Sequence, residues 1–98
     1  MKTLPDHFSV YRSTPEFDAD SVPKGLLKAH HTKAGTWGKI VILKGRLKYR
    51  ILPTDENEME ENILSPQCFG VVEPTVLHEV EVIDESVRFR VDFLKEDD

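Results

Sequence analysis

The sequence predicts an all-β fold, a sandwich or barrel of short strands, and three observations predict it. Apolar and polar residues alternate with period two in several stretches, as where Val76, His78, Val80 and Val82 oppose Glu79 and Glu81. No stretch has the apolar spacing of an amphipathic helix; the weak candidate, Thr54 to Asn62, has Met59 as its sole apolar residue. Glycines and prolines recur at short intervals, which suits turns between about seven to nine short strands.

Taken in order, residues 1–7 read as a flexible arm and Phe8 to Arg12 alternates as a first strand. Ser13 to Lys24, with Pro15 and Pro23, reads as a loop, and Leu26 to Thr32 as a strand. The run Ile40-Val41-Ile42-Leu43 predicts a strand buried on both faces. Lys44-Gly45-Arg46 is a tight turn in which glycine supplies a positive φ. Leu47, Tyr49 and Ile51 alternate with Lys48 and Arg50, so 37–44 and 46–52 are expected to pair as a hairpin. Asp55 to Glu61 is an acidic surface excursion. Ile63-Leu64-Ser65 leads into a turn at Pro66-Gln67, Phe69 to Val72 follows, and Pro74 makes a corner. In the last strand Val87, Phe89, Val91 and Phe93 point inward and Arg88, Arg90 and Asp92 outward, before a polar tail over 95–98.

The 98 residues predict a single domain over 1–98. Thirteen basic against 18 acidic residues, a net charge of −5, argue against nucleic acid as a partner. The five glycines form neither GxGxxG nor a P-loop, so a dinucleotide-binding domain is excluded. The longest apolar run, Ile40 to Leu43, is too short for a signal peptide or a membrane span, and the expectation is a cytoplasmic protein. Cys68, the sole cysteine, cannot form an internal disulfide and is expected to be half-buried beside Phe69. Ser65, Ser86 and Cys68 lack the partners nucleophilic catalysis needs.

The stretches GLLKAHHTKAGTWGKIVILKGRLKYR, LSPQCFGVVEPTVLHEVEV and VRFRVDFL resemble the TehB/YeaR-like cupin domain family over roughly residues 8–94. The most specific part is His30 to Arg50, followed by Pro74 to His78. The resemblance implies a small cupin, a double-stranded β-helix or jelly-roll barrel of about eight strands. Some relatives join such a domain to a methyltransferase associated with tellurite resistance; this chain has no stretch for a methyl-donor domain, so methyltransferase activity is not expected of it.

The resemblance also frames a site. A metal-binding cupin holds a divalent ion with three histidines and a carboxylate. Here Gly45 fits the turn glycine and His78 the second-motif histidine, while Trp37 and Gly38 stand where the ligand glutamate belongs. His78 shares parity with Val76, Val80 and Val82, which puts it inside the barrel as a ligand or general acid–base, or as a core histidine satisfied by one hydrogen bond. Simple alternation turns His31 inward; the family pattern favours His30, and a β-bulge would reconcile the two. Lys33 is a candidate anion ligand or a solvated lysine, Trp37 a pocket or core aromatic, and Glu73 a candidate cavity carboxylate, whereas Glu79 faces solvent.

Three functions follow from this. The first is a cupin that binds a small molecule or oxyanion through His30, Lys33, Trp37, Glu73 and His78, linked by resemblance to tellurite or oxyanion stress. The second is a dioxygenase- or isomerase-like enzyme with Zn, Ni or Fe on His30 and His78. The third is a homodimeric interaction module that exchanges segment 8–12 between subunits.

Overall fold

The structure is a computed structural model that describes residues 1–97. Its strands are β1 (Phe8–Ser13), β2 (Phe17–Asp18), β3 (Trp37–Lys44), β4 (Leu47–Ile51), β5 (Glu60–Leu64), β6 (Gly70–Val72), β7 (His78–Val82) and β8 (Arg88–Glu96). One sheet runs β1-β8-β3-β6, with β2 also paired to β8; the other runs β5-β4-β7. All the named pairs are antiparallel. The all-β expectation holds, as a two-sheet arrangement compatible with a small cupin barrel but not closed by a continuous ladder.

Alternation decides which side chains fill the space between the sheets. Ile40 and Ile42 from β3 and Phe89 and Val91 from β8 face Leu47 and Tyr49 from β4 and Val80 from β7. Leu64, Val72 and Val87 complete the buried cluster. Each such side chain contributes roughly 1.5–3 kcal/mol by leaving water, and this burial drives the two sheets together.

The expected hairpin between 37–44 and 46–52 does not form. Both edges of β3 are taken, by β6 and β8, and β4 pairs with β5 and β7. The turn at Gly45 is instead a corner that carries the chain from one sheet to the other. A register shift between Ile42 and Lys44 bends β3 into it. Gly45 has φ +77°, and a Cβ there would meet Asp84 Oδ2 at 2.8 Å and Val87 Cα at 3.0 Å. Gly45→Ala is therefore expected to cost about 1–2 kcal/mol from the left-handed backbone alone, with the approach to the Val87 backbone adding to it. The denaturation midpoint in urea measures this, and an unchanged midpoint contradicts it.

Other local expectations also shift. Leu26 to Thr32 is not a strand: Lys24–Leu26 forms a 3-10 turn, and the segment then meets β7 only at His30. Pro23 and Gly25 suit such a turn better than a ladder. The 40–43 run is not buried on both faces, because Leu43 is exposed and Val41 half-buried. The loop over 13–24 contains β2, and Glu60 and Glu61, read as part of the acidic excursion, begin β5. Lys95 and Glu96, read as tail, extend β8 opposite Ser9 and Phe8; Asp98 lies outside the described residues.

Asp92, expected to face solvent, is only 6% exposed. It accepts hydrogen bonds from Ser13 Oγ at 2.7 Å and Arg90 Nε at 3.0 Å, which compensate its burial. Cys68, expected half-buried, is exposed on the Ser65–Cys68 turn. Within residues 1–7 the Met1 amine pairs with Glu60, and Lys2 with Glu73 at 3.1 Å. β1 pairs with β8 of its own chain. No helix among the described residues is long and apolar enough to cross a membrane.

Candidate functional site

A cavity of about 440 Å³ opens between the two sheets. Ile40, Val72, Phe89, Val91 and Phe93 wall it from the larger sheet, and His78 and Val80 from the smaller. Thr14 and Phe17, from the segment after β1, and Pro23 to Thr32, in part, close its mouth. The inward parity of β7 and β8 builds most of this wall, as the alternation predicts. Phe17 could not be read in advance: it is an isolated aromatic in a stretch that looks like loop. It sits edge-on to Phe89 with centroids 5.6 Å apart.

His78 is 4% exposed and lines the cavity. His30 is carried to it by backbone pairing: His30 N–H donates to the His78 carbonyl at 2.9 Å, and His78 N–H to the His30 carbonyl at 2.8 Å. Thr75 N–H, donating to the Thr32 carbonyl at 2.9 Å, continues the connection. The two imidazole rings lie 4.0 Å apart between centroids. His30 is thus the ring brought against His78, although through a single bridge and not through the bulged strand expected. His31 is exposed but also lines the cavity mouth.

Both histidines have their Nδ1 atoms committed to backbone. His78 Nδ1 lies 3.1 Å from the Val76 carbonyl and His30 Nδ1 lies 2.8 Å from the Lys28 carbonyl. A carbonyl only accepts, so Nδ1 carries the hydrogen in each ring. Burial, aided by the nearby charges of His30 and His31 and opposed by the Val76 hydrogen bond, pushes the His78 imidazole down to about 4. At neutral pH His78 is therefore uncharged, with a lone pair on Nε2. Tyr49 stands edge-on to it at 5.8 Å. The Tyr49 hydroxyl donates to the Val71 carbonyl at 2.9 Å, and burial raises its phenol well above the ordinary tyrosine value, so it holds its proton.

Three sequence-derived candidates lie elsewhere. Lys33 is exposed, does not line the cavity, and offers its carbonyl to Thr36 N–H in the turn around Gly35. Trp37 packs edge-on against Phe8 at 6.4 Å, opposite Leu94. Glu73 borders a different depression, rimmed by Asp55, Glu56, Glu58 and Glu60, where it pairs with Lys2. Among the described residues no Lys, Arg, Asp or Glu lines the cavity between the sheets.

The donor set does not match a resident metal centre. Two imidazoles approach each other, but no group of three or more histidine, cysteine or carboxylate side chains among the described residues could hold an ion. Glu73, the candidate cavity carboxylate, lies outside the cavity.

The architecture is that of a small two-sheet β domain with an apolar, histidine-bearing interior. The family model described as the TehB-like domain matches residues 12–91, and the chain belongs to that family. Over 84 residues it is 34% identical to a protein of Haemophilus influenzae named probable S-adenosyl-L-methionine-dependent methyltransferase TehB, covering 85% of this chain and 29% of that protein. The chain thus spans less than a third of that relative. It is 25% identical to Escherichia coli YeaR, an uncharacterized protein, over 95% of this chain and 82% of the relative. The crystal structure of Haemophilus influenzae TehB superposes with a TM-score of 0.83 at 30% identity, over 93% of this chain and 32% of that one. A solved Escherichia coli protein superposes with a TM-score of 0.86 at 21% identity over the whole of both chains, which shows the shared fold.

Proposed function

We propose that this chain is a small-molecule-binding domain, with the ligand held between the sheets against His78 and His30. The observation that carries this is a cavity of about 440 Å³ with largely apolar walls, lined also by the buried, uncharged imidazole of His78. Binding sites for small molecules combine such walls with few, well-placed polar groups. An oxyanion such as tellurite is the weaker occupant, since among the described residues no lysine or arginine lines the walls and a buried anion needs a partner. Turnover is not required by the geometry.

Thermal-shift screening and calorimetry test the reading, with small aromatic and aliphatic molecules, tellurite, and Zn, Ni and Fe salts in separate arms. Apolar molecules are expected to raise Tm by mass action on the native state. Val91→Phe, which fills the cavity from a wall position, is expected to keep the fold and abolish that shift. A shift that persists undiminished in Val91→Phe, or one given by tellurite or metal alone, contradicts the assignment.

A further inference from the structure

The cavity's polar end has a hydrogen-bonding sense, and that sense selects among ligands. His78 Nδ1 is committed to the Val76 carbonyl, so the ring presents only Nε2 to other groups. Among the described residues no protein group bonds Nε2, yet no fully buried side-chain nitrogen or oxygen lacks a partner. Nε2 therefore opens on space that a water-sized molecule reaches, and His78 borders the cavity. A lone pair in that position accepts a hydrogen and has none to give.

From this arrangement we infer that the cavity is selective for neutral hydrogen-bond donors with an apolar body, of the phenol or alcohol class, whose hydroxyl donates to His78 Nε2 while the body packs among Phe17, Phe89 and Phe93. This inference rests on the cavity being the binding site. A carboxylate brings lone pairs to a lone pair, and among the described residues no Lys or Arg lines the cavity to offset its desolvation. An ether or an unsubstituted hydrocarbon fits the walls but leaves Nε2 without a partner after displacing water from it. Sites built to hydrogen-bond a hydroxyl reject analogues that lack it for that reason.

Three probes of one shape separate the possibilities at pH 7.5: 1-naphthol, 1-methoxynaphthalene and 1-naphthoate, titrated by calorimetry against the full chain. 1-Naphthol is expected to bind at least about tenfold more tightly than either of the others, a ratio equivalent to one hydrogen bond of about 1.4 kcal/mol. Its addition should move the ¹⁵N resonance of His78 Nε2 in the unmodified protein, a readout that depends on no variant folding. In His78→Phe the naphthol advantage should vanish while methoxynaphthalene binding persists. Equal binding of naphthol and methoxynaphthalene, or an unmoved Nε2 resonance, overturns the hydroxyl selectivity and leaves the cavity assignment standing. Preference for naphthoate overturns it too, since the site would then be an anion site. Failure of all three to bind overturns both.

Discussion

Phe89→Ala is expected to lower the stability of the fold by about 3–5 kcal/mol, the usual cost of removing a buried aromatic. Phe89 is 0% exposed, packs edge-on against Phe17, and sits on the cavity wall. Its loss merges new empty space with the existing cavity and removes the partner that holds β2 to β8, where Phe17 and Phe89 are in register. A domain of this size has roughly 5–15 kcal/mol in total, so the variant should unfold at a much lower urea concentration and be partly unfolded at 37 °C. Phe17→Ala, at a half-buried position, should cost less. A Phe89→Ala loss below about 1 kcal/mol would mean that the sheets do not pack as described here.

The second large effect is a loss of stability on acidification that begins well above the carboxylate range. An unfolded histidine titrates near 6.5, whereas His78 in the fold is pushed down to about 4. Between those values the unfolded chain binds a proton that the folded chain does not, so stability rises with pH across that window. The contribution is complete above about 6.5 and is lost as pH falls towards 4; its full size is roughly 3 kcal/mol. The groups facing the ring are His30, His31 and Tyr49, none of them an acid that would support the imidazolium. Asp92 acts in the same sense but in a lower window. Burial raises its carboxyl, but hydrogen bonds from Ser13 and Arg90 and the charges of Arg90 and Lys39 outweigh that and hold it low. Its effect therefore begins only as pH drops below the ordinary aspartate value. Urea denaturation at half-unit steps from about pH 7 down to about pH 2 separates the two, because His78→Phe should flatten the upper window and leave the acid limb. A flat profile in the unmodified protein between pH 6.5 and 4.5 would contradict the buried, neutral His78.

Much of this was legible in the sequence, and the failures have a common cause. The inward parity of Val80, Phe89 and Val91 and the placing of His78 in the interior follow from period-two alternation, which depends only on each strand having one buried face. The Gly45 turn was legible as a turn, but its partnership was not. A short glycine loop between two alternating strands reads the same whether the strands pair or the chain turns a corner into a second sheet. Only the competition of β6 and β8 for the edges of β3 decides it. His30 was named through the family pattern, and local periodicity pointed to His31, because that periodicity assumes a continuous strand where the chain makes a 3-10 turn and a single bridge.

Lys33, Trp37 and Glu73 do not line the intersheet cavity, and local pattern alone does not show this. Their sequence neighbourhood is close to the histidines, but the Gly35 turn and the Pro74 corner direct them away from the cavity. Asp92 shows the converse. Its parity is outward, as read, and it is buried all the same, because Ser13 and Arg90 cover it from β1 and from its own strand.

The central claim is that the space between the sheets is a ligand site with His78 at its polar end. A crystal structure grown in the presence of 1-naphthol tests it most directly. The account predicts density for the ring among Phe17, Phe89 and Phe93, with the hydroxyl oxygen about 2.6–3.2 Å from His78 Nε2. Naphthol seated instead in the acid-rimmed depression beside Glu73, with the intersheet cavity filled by side chains, would contradict it.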